Sequence, residues 1–197
     1  MSASANPPRW ADAVLRLVLP PDRFETVSGD LLEEYRETVF PSRGRWRADL
    51  WFVRQVGGFV WRATWRWGVP LAALLVGRNA LDWLVPPADF KVRSIVTTCA
   101  AISLFVGAGF WAAYRTQSFR ASVLAGIATG AIFFVLSLSG NLVLLAIWHD
   151  PQTMGAIEYS GGLDEMFVLP GFVAVVGTCL ASVGGLIGKG LCLARSG

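Results

Sequence analysis

The chain has 197 residues, of which 54% are hydrophobic and only 16% charged, with a formal net charge of +3 and nine tryptophans. A soluble domain carries close to a quarter charged residues, so this composition excludes a disordered chain, a disulfide scaffold and an ordinary soluble enzyme. The charge is also unevenly placed, because residues 1–67 hold 18 charged side chains and the remaining 130 residues hold 13.

The amino terminus does not read as a cleaved signal. Its apolar stretch, residues 13–19, is interrupted by Arg16 and stopped by Pro20 and Pro21, with no small-residue cleavage site after it. Pro7 and Pro8 open a helix that continues over residues 10–19, since proline suits a first helical turn. A second helix begins near Pro21 and Asp22. Phe24, Val27, Leu31, Tyr35 and Val39 recur at helical spacing and define one apolar face, with Leu31 and Tyr35 as its anchor. Asp30, Glu33, Glu34 and Glu37 fall at i, i+3, i+4 and i+7 and form an acidic stripe. Carboxylate bundles that bind two metals add histidine through Glu-x-x-His, and residues 1–67 contain none, so no metal site is expected. The stripe reads as a solvated face paired with Arg47 and Arg54, or as a partner-binding surface. Gly29 in mid-pattern marks a kink or a close contact, and Pro41-Ser42-Arg43-Gly44 reads as a turn.

Residues 45–67 follow, with five tryptophans (Trp46, Trp51, Trp61, Trp65, Trp67) among arginines. Amphipathic rings and cations together suit an anionic lipid surface, so this helix is expected to lie on or enter the inner leaflet, continuous with the first crossing. Arginine with aromatics also suits nucleic acid, but a membrane span follows directly, and no nucleic acid is expected.

Three windows, residues 94–114, 123–148 and 166–188, carry no charge and are long enough to cross a bilayer as helices. A fourth, residues 69–85, is shorter and contains Pro70, Arg78, Asn79 and Asp82. Residues 43–66 carry six arginines against one acid, which places that side in the cytoplasm. Arg115 and Arg120 place the loop after residue 114 there too, so residues 69–85 must cross if residues 94–114 do. Residues 148–165, with four acids and no Lys or Arg, then lie outside, and Lys189 and Arg195 return the carboxyl terminus to the cytoplasm. Lys91 and Arg93 in the first external loop are the one discord. Gly126 and Gly130, with Gly177, Ala181, Gly184, Gly185 and Gly188, supply small-residue contacts within one bundle in preference to a homodimer seam. Cys99, Cys179 and Cys192 lack metal or redox spacing and read as small packing residues.

Arg78, Asn79 and Asp82, with Asn141 in reach, form the polar group of the body. Ionisable residues in a membrane face the bundle interior or water, and Arg78 and Asp82, four apart, pair on one helix face. Such a group is either a neutralised structural pair near the outer interface or the lining of a polar path. His149 beside Asp150 reads as polar punctuation at a membrane exit. No HExxH, GxSxG, Walker A loop or paired intramembrane aspartates occur, so no catalytic, cofactor or metal residue is assigned.

Pro7-Pro8-Arg9-Trp10, Leu15-Arg16-Leu17, Leu19-Pro20-Pro21, the run Gly29-Asp30-Leu31-Leu32-Glu33-Glu34-Tyr35-Arg36 and Trp51-Phe52-Val53-Arg54-Gln55-Val56 together resemble the permease prefix domain. That module stands at the amino terminus of acidobacterial-type duplicated orphan permeases of the ABC exporter kind. The resemblance covers residues 7–67 and implies a bacterial inner-membrane protein with an ABC-type permease or another membrane protein as partner. Those permeases continue with long extracytoplasmic domains, whereas the largest external loop here is 18 residues. The expected architecture is therefore an all-α membrane protein. A cytoplasmic helical head, residues 1–67, precedes a four-helix transmembrane domain, residues 68–197, and both termini are cytoplasmic. The expected function is a non-enzymatic module that presents the head to a protein partner. The alternative is a small permease or accessory subunit of a transport system, with a polar path at Arg78, Asp82 and Asn141.

Overall fold

A computed structural model describes residues 6–84, 90–159 and 162–196, and every described element is helical. Helix α1 (Arg9–Val18) and helix α2 (Pro21–Glu34) are separated by Leu19 and Pro20 in extended conformation. Pro21 occupies the first helical turn of α2, where its missing N–H is no loss. A π-helical turn, Tyr35–Val39, leads into helix α3 (Phe40–Leu84). The turn expected at residues 41–44 is reduced to Gly44, whose φ of 73° and ψ of 168° break α3 near its start. That left-handed φ is open to glycine at little cost. From Arg45 to Leu84 the helix is continuous, about 60 Å at 1.5 Å per residue.

The predicted apolar face is the one that is buried. Leu31, Tyr35 and Val39 join Ala11 and Leu15 of α1 and Ala48, Phe52 and Val56 of α3 in one core. The Tyr35 ring meets Phe52 edge-on with centroids 5.9 Å apart, and its hydroxyl donates to Asp49 Oδ1 at 2.6 Å. Ser28 Oγ donates to Asp12 Oδ1 at 3.0 Å and ties α2 to α1. The Arg16 guanidinium sits 4.8 Å over the Phe24 ring. Gly29 lies within α2 and makes no close contact, since nothing lies within 4 Å of where its side chain would be.

Helices α4 (Phe90–Thr116), α5 (Phe119–Ile147) and α7 (Gly162–Ser196) form the body with the second half of α3. Three segments of these, Lys91–Thr116, Phe119–Ile147 and Met166–Ala194, are long and apolar enough to cross a membrane. The first exceeds its expected window at both ends, the second starts four residues earlier and stops one earlier, and the third starts at the same residue and runs six further. Large apolar side chains point outward from them, among them Ile95, Val143 and Val175 at 55–68% exposure. That arrangement suits hydrocarbon and marks a membrane protein. The expected first span, residues 69–85, is the last part of α3 and is not among these three; residue 85 lies outside the described residues. It is nonetheless packed, with Leu71, Ala72 and Leu75 sharing a core with Phe105 and Phe133.

The small residues work within the chain. A side-chain carbon on Gly109, Gly184 or Gly188 would strike backbone atoms across the α4–α7 contact. Gly126 and Gly130 meet Ala181 and Ala174, and Gly185 faces Ser122, across the α5–α7 contact. Cys99 and Cys179 are exposed on the body's outer surface, which corrects their reading as packing residues, while Cys192 Sγ lies 3.5 Å from the Tyr114 carbonyl oxygen.

The expected external loop, residues 148–165, contains a short helix, α6 (Pro151–Tyr159). Asp150 caps it. Its Oδ1 accepts from the backbone N–H of Gln152 and Thr153, both at 3.1 Å, and its Oδ2 accepts from Thr153 Oγ1 at 2.7 Å. Those bonds, the Thr153 hydroxyl first, hold the carboxyl of Asp150 below its ordinary range. Ile157 then packs with Trp83, Leu144 and Met166, so α6 folds back over the end of the body. The side chains of Asp164, Glu165 and Arg195, which entered the charge argument, lie outside the described residues.

Candidate functional site

The four polar residues of the body come together beneath α6, near the end of α3. Arg78 Nε donates to Asp82 Oδ2 at 3.2 Å, the i,i+4 pair that the spacing implies. Arg93 Nη1 approaches Asp82 Oδ1 at 3.1 Å, an ion-pair distance without hydrogen-bond alignment. Asn79 Nδ2 donates to Asn141 Oδ1 at 3.0 Å, and Asn141 Nδ2 donates to the Met166 carbonyl at 3.0 Å. Asn141 is fully buried and Asp82 is 9% exposed. The network therefore links α3 to α4 through Asp82 and Arg93, to α5 through Asn141, and to α7 through Met166.

Of the two charges, Lys91 and Arg93, that fit the expected topology poorly, Arg93 has a partner in Asp82, which offsets the cost of a charge at that position. Sequence spacing missed it because Asp82 and Arg93 belong to different helices. A same-helix partner is visible at i,i+4, whereas a partner across a loop is visible only as an unexplained charge. Met166 also escaped, because its contribution is a backbone carbonyl.

The cavity bordered by Arg78, Asn79, Asp82, Ile157 and Met166 holds about 20 Å³. A water needs roughly 10–15 Å³ on that measure, so the space suits about one water and not a file of them. Further along α5, Thr129 Oγ1 and Ser137 Oγ are buried without hydrogen-bond partners.

The acidic stripe lies elsewhere. Asp30, Glu33, Glu34 and Glu37 are all exposed, and none forms an ion pair with Arg47 or Arg54. The expected pairing is thus corrected. Two N-terminal helices are positioned by Leu31, Tyr35 and the Tyr35–Asp49 bond, and the acids point to solvent because the apolar face of α2 is turned inward. Burial, followed by the Asp49 hydrogen bond, pushes the Tyr35 hydroxyl up to about 12. Among the described residues no cluster of three or more His, Cys, Asp or Glu is grouped to hold a metal.

No protein-family model, no curated protein and no solved structure matches the chain.

Proposed function

We propose that the chain is a non-enzymatic bacterial inner-membrane protein that presents residues 7–67, a helical unit resembling the permease prefix domain, to a membrane-protein partner in the cytoplasm. The observation that carries this reading is the acidic stripe. Four carboxylates lie exposed along α2 and the π-helical turn after it, with no ion pair to Arg47 or Arg54, on a unit held by its own buried core. Electrostatic complementarity of that kind selects partners and speeds their encounter. In this reading residues 69–84 of α3 are the first of four crossings and both termini are cytoplasmic. Support for the crossing comes from Leu71, Ala72 and Leu75, packed into the same core as residues of the apolar helices. Trp61 and Trp65, about half exposed and next to Arg62 and Arg66, mark the inner interface. The polar cluster serves this module as a clasp between helices, because its polar groups bond to one another around a one-water cavity.

The test is a photoreactive amino acid placed at Glu34 in the full-length chain in cells, with Glu25, exposed on another face of α2, as control. A discrete membrane-protein adduct at Glu34, lost in Glu33→Lys/Glu37→Lys and absent at Glu25, supports the reading. The same adducts at both positions, insensitive to charge reversal, refute it. In a background without the native cysteines, Glu158→Cys should react with an impermeant thiol reagent in intact spheroplasts and Ser42→Cys should not. Reversed labelling overturns the topology.

A further inference from the structure

Helices α4 and α7 touch at one end and part at the other. Gly109, Gly184 and Gly188 bring the two backbones together, so tightly that no side chain fits between them. Toward the opposite end they diverge, and α3 closes the third side of a cleft of about 760 Å³. Its volume lies within the roughly 300–1,000 Å³ of small-molecule sites. The Phe105 ring, lying over Gly177, and Phe133 close the apex.

The cleft is polar at one end only. Among the described residues Arg78 is the one charged side chain on its lining, and the hydroxyl residues Ser94, Thr97 and Thr98 stand at the same end. Thr97 Oγ1 is spent on the Arg93 carbonyl, 2.7 Å away. From there inward the described lining is apolar, through Ile102 and Val173 to Leu180. From Ser94 to Phe105 along α4, and from Leu169 to Leu180 along α7, the rise of 1.5 Å per residue gives a depth of about 16 Å. The hydrocarbon core is about 30 Å thick, so the cleft spans one leaflet. Asp82 holds the Nε edge of Arg78 at 3.2 Å and so fixes the guanidinium at the rim.

We propose that this cleft is a lipid site: it takes an acyl chain of one leaflet, entering sideways from the bilayer, with the lipid's anionic headgroup at Arg78 and the hydroxyls of Ser94 and Thr98. The occupant is a membrane lipid because the site is open to hydrocarbon along a leaflet's depth, and it is anionic because the single charge among the described lining residues is a cation, at headgroup level. A guanidinium recognises phosphate by charge-assisted hydrogen bonds, and the quaternary ammonium of a choline headgroup offsets the phosphate charge that strengthens them. The inference is independent of the partner-presenting role of residues 7–67.

Native mass spectrometry of the full chain, released from detergent, tests it with phosphatidylglycerol and phosphatidylcholine of identical acyl chains. Wild type should retain phosphatidylglycerol about tenfold more, the worth of one charged contact. Arg78→Gln should bring the two lipids level, and Arg78→Lys should keep much of the preference. Ala101→Phe fills the cleft away from the polar cluster and should displace both lipids while the chain keeps its helicity and melting temperature. Glycerol phosphate, which has no chains, should not compete. Equal retention of the two lipids by wild type, unchanged retention in Ala101→Phe, or full competition by glycerol phosphate would each overturn the proposal.

Discussion

Gly184→Ala adds one methyl group to a helix that gains intrinsic stability from alanine, yet it should destabilise the protein. The new carbon would fall against the carbonyl oxygen of Val106, with Val106 C at 2.9 Å and Phe110 N at 3.0 Å. All three are backbone atoms of α4, so no rotamer change relieves the contact and the two helices must move apart. Opening a packed interface by 0.5–1 Å forfeits about a quarter to a half of each pairwise attraction, and inserting a methylene into a tight core costs about 1–3 kcal/mol. Against this stands the gain of about 0.5–1 kcal/mol from replacing a helical glycine with alanine. The net expectation is a loss of about 1–2 kcal/mol, or a melting temperature about 2–8 °C lower for a chain of this size. Gly29→Ala isolates the propensity term, because nothing lies within 4 Å of its added carbon, and it should raise stability by about 0.5–1 kcal/mol. Thermal unfolding in one detergent, followed by size-exclusion fluorescence, reads both. Should Gly184→Ala stabilise as much as Gly29→Ala, the α4–α7 backbone contact is not as close as described, and the wedge that shapes the lipid cleft falls with it.

Leu31→Ala, which empties a site in the amino-terminal core, should cost about 2–5 kcal/mol, whereas Glu34→Gln on the exposed stripe should stay within about 0.5 kcal/mol, judged by protease resistance of residues 7–67 in membranes. Equal losses would mean that the stripe is structural. Asp82→Asn leaves two guanidiniums without their shared carboxylate and should cost about 3–5 kcal/mol. Arg78→Gln should cost less, because Arg93 still faces Asp82 at 3.1 Å; a larger loss from Arg78→Gln in detergent melts would contradict the three-residue cluster. Tyr35, raised from 10.0 to about 12, contributes stability that is complete below pH 10 and is lost as pH climbs through 12. Circular dichroism of the wild type between pH 9 and 12.5 should show that loss, and Tyr35→Phe should show a smaller one.

Much of the fold is legible because the physics that sets it is local. Phe24, Val27, Leu31, Tyr35 and Val39 are spaced for one helix face, and Leu31, Tyr35 and Val39 are buried. The three uncharged windows correspond to the three apolar helices, since a lipid-facing helix must satisfy its backbone within itself and advertises that by composition. Ends are less legible. Helix α4 begins at Phe90, four residues before the expected start, because Lys91 and Arg93 can belong to a helix whose charges find a partner or reach the interface. Helix α6 was hidden in an acidic loop, although Asp150 before Pro151 is a cap followed by a helix-starting proline.

The polar cluster divides along the same line. Arg78 and Asp82 are four apart, so their pairing follows from helical geometry alone. Arg93, Asn141 and the Met166 carbonyl reach the cluster from three other helices, and no spacing rule relates them to Asp82. What the sequence does hold is a balance: a charge at Arg93 that the expected topology leaves unexplained, and a carboxylate at Asp82 beside a single same-helix cation. Topology turns those two anomalies into one pair, 3.1 Å apart. The acidic stripe shows the converse. Its members are near Arg47 and Arg54 in sequence and carry opposite charge, yet the inward turn of Leu31 and Tyr35 decides the rotation of α2. Burial of large apolar groups outweighs exposed ion pairs of about 0–1 kcal/mol, and the carboxylates remain turned to solvent, available to another molecule.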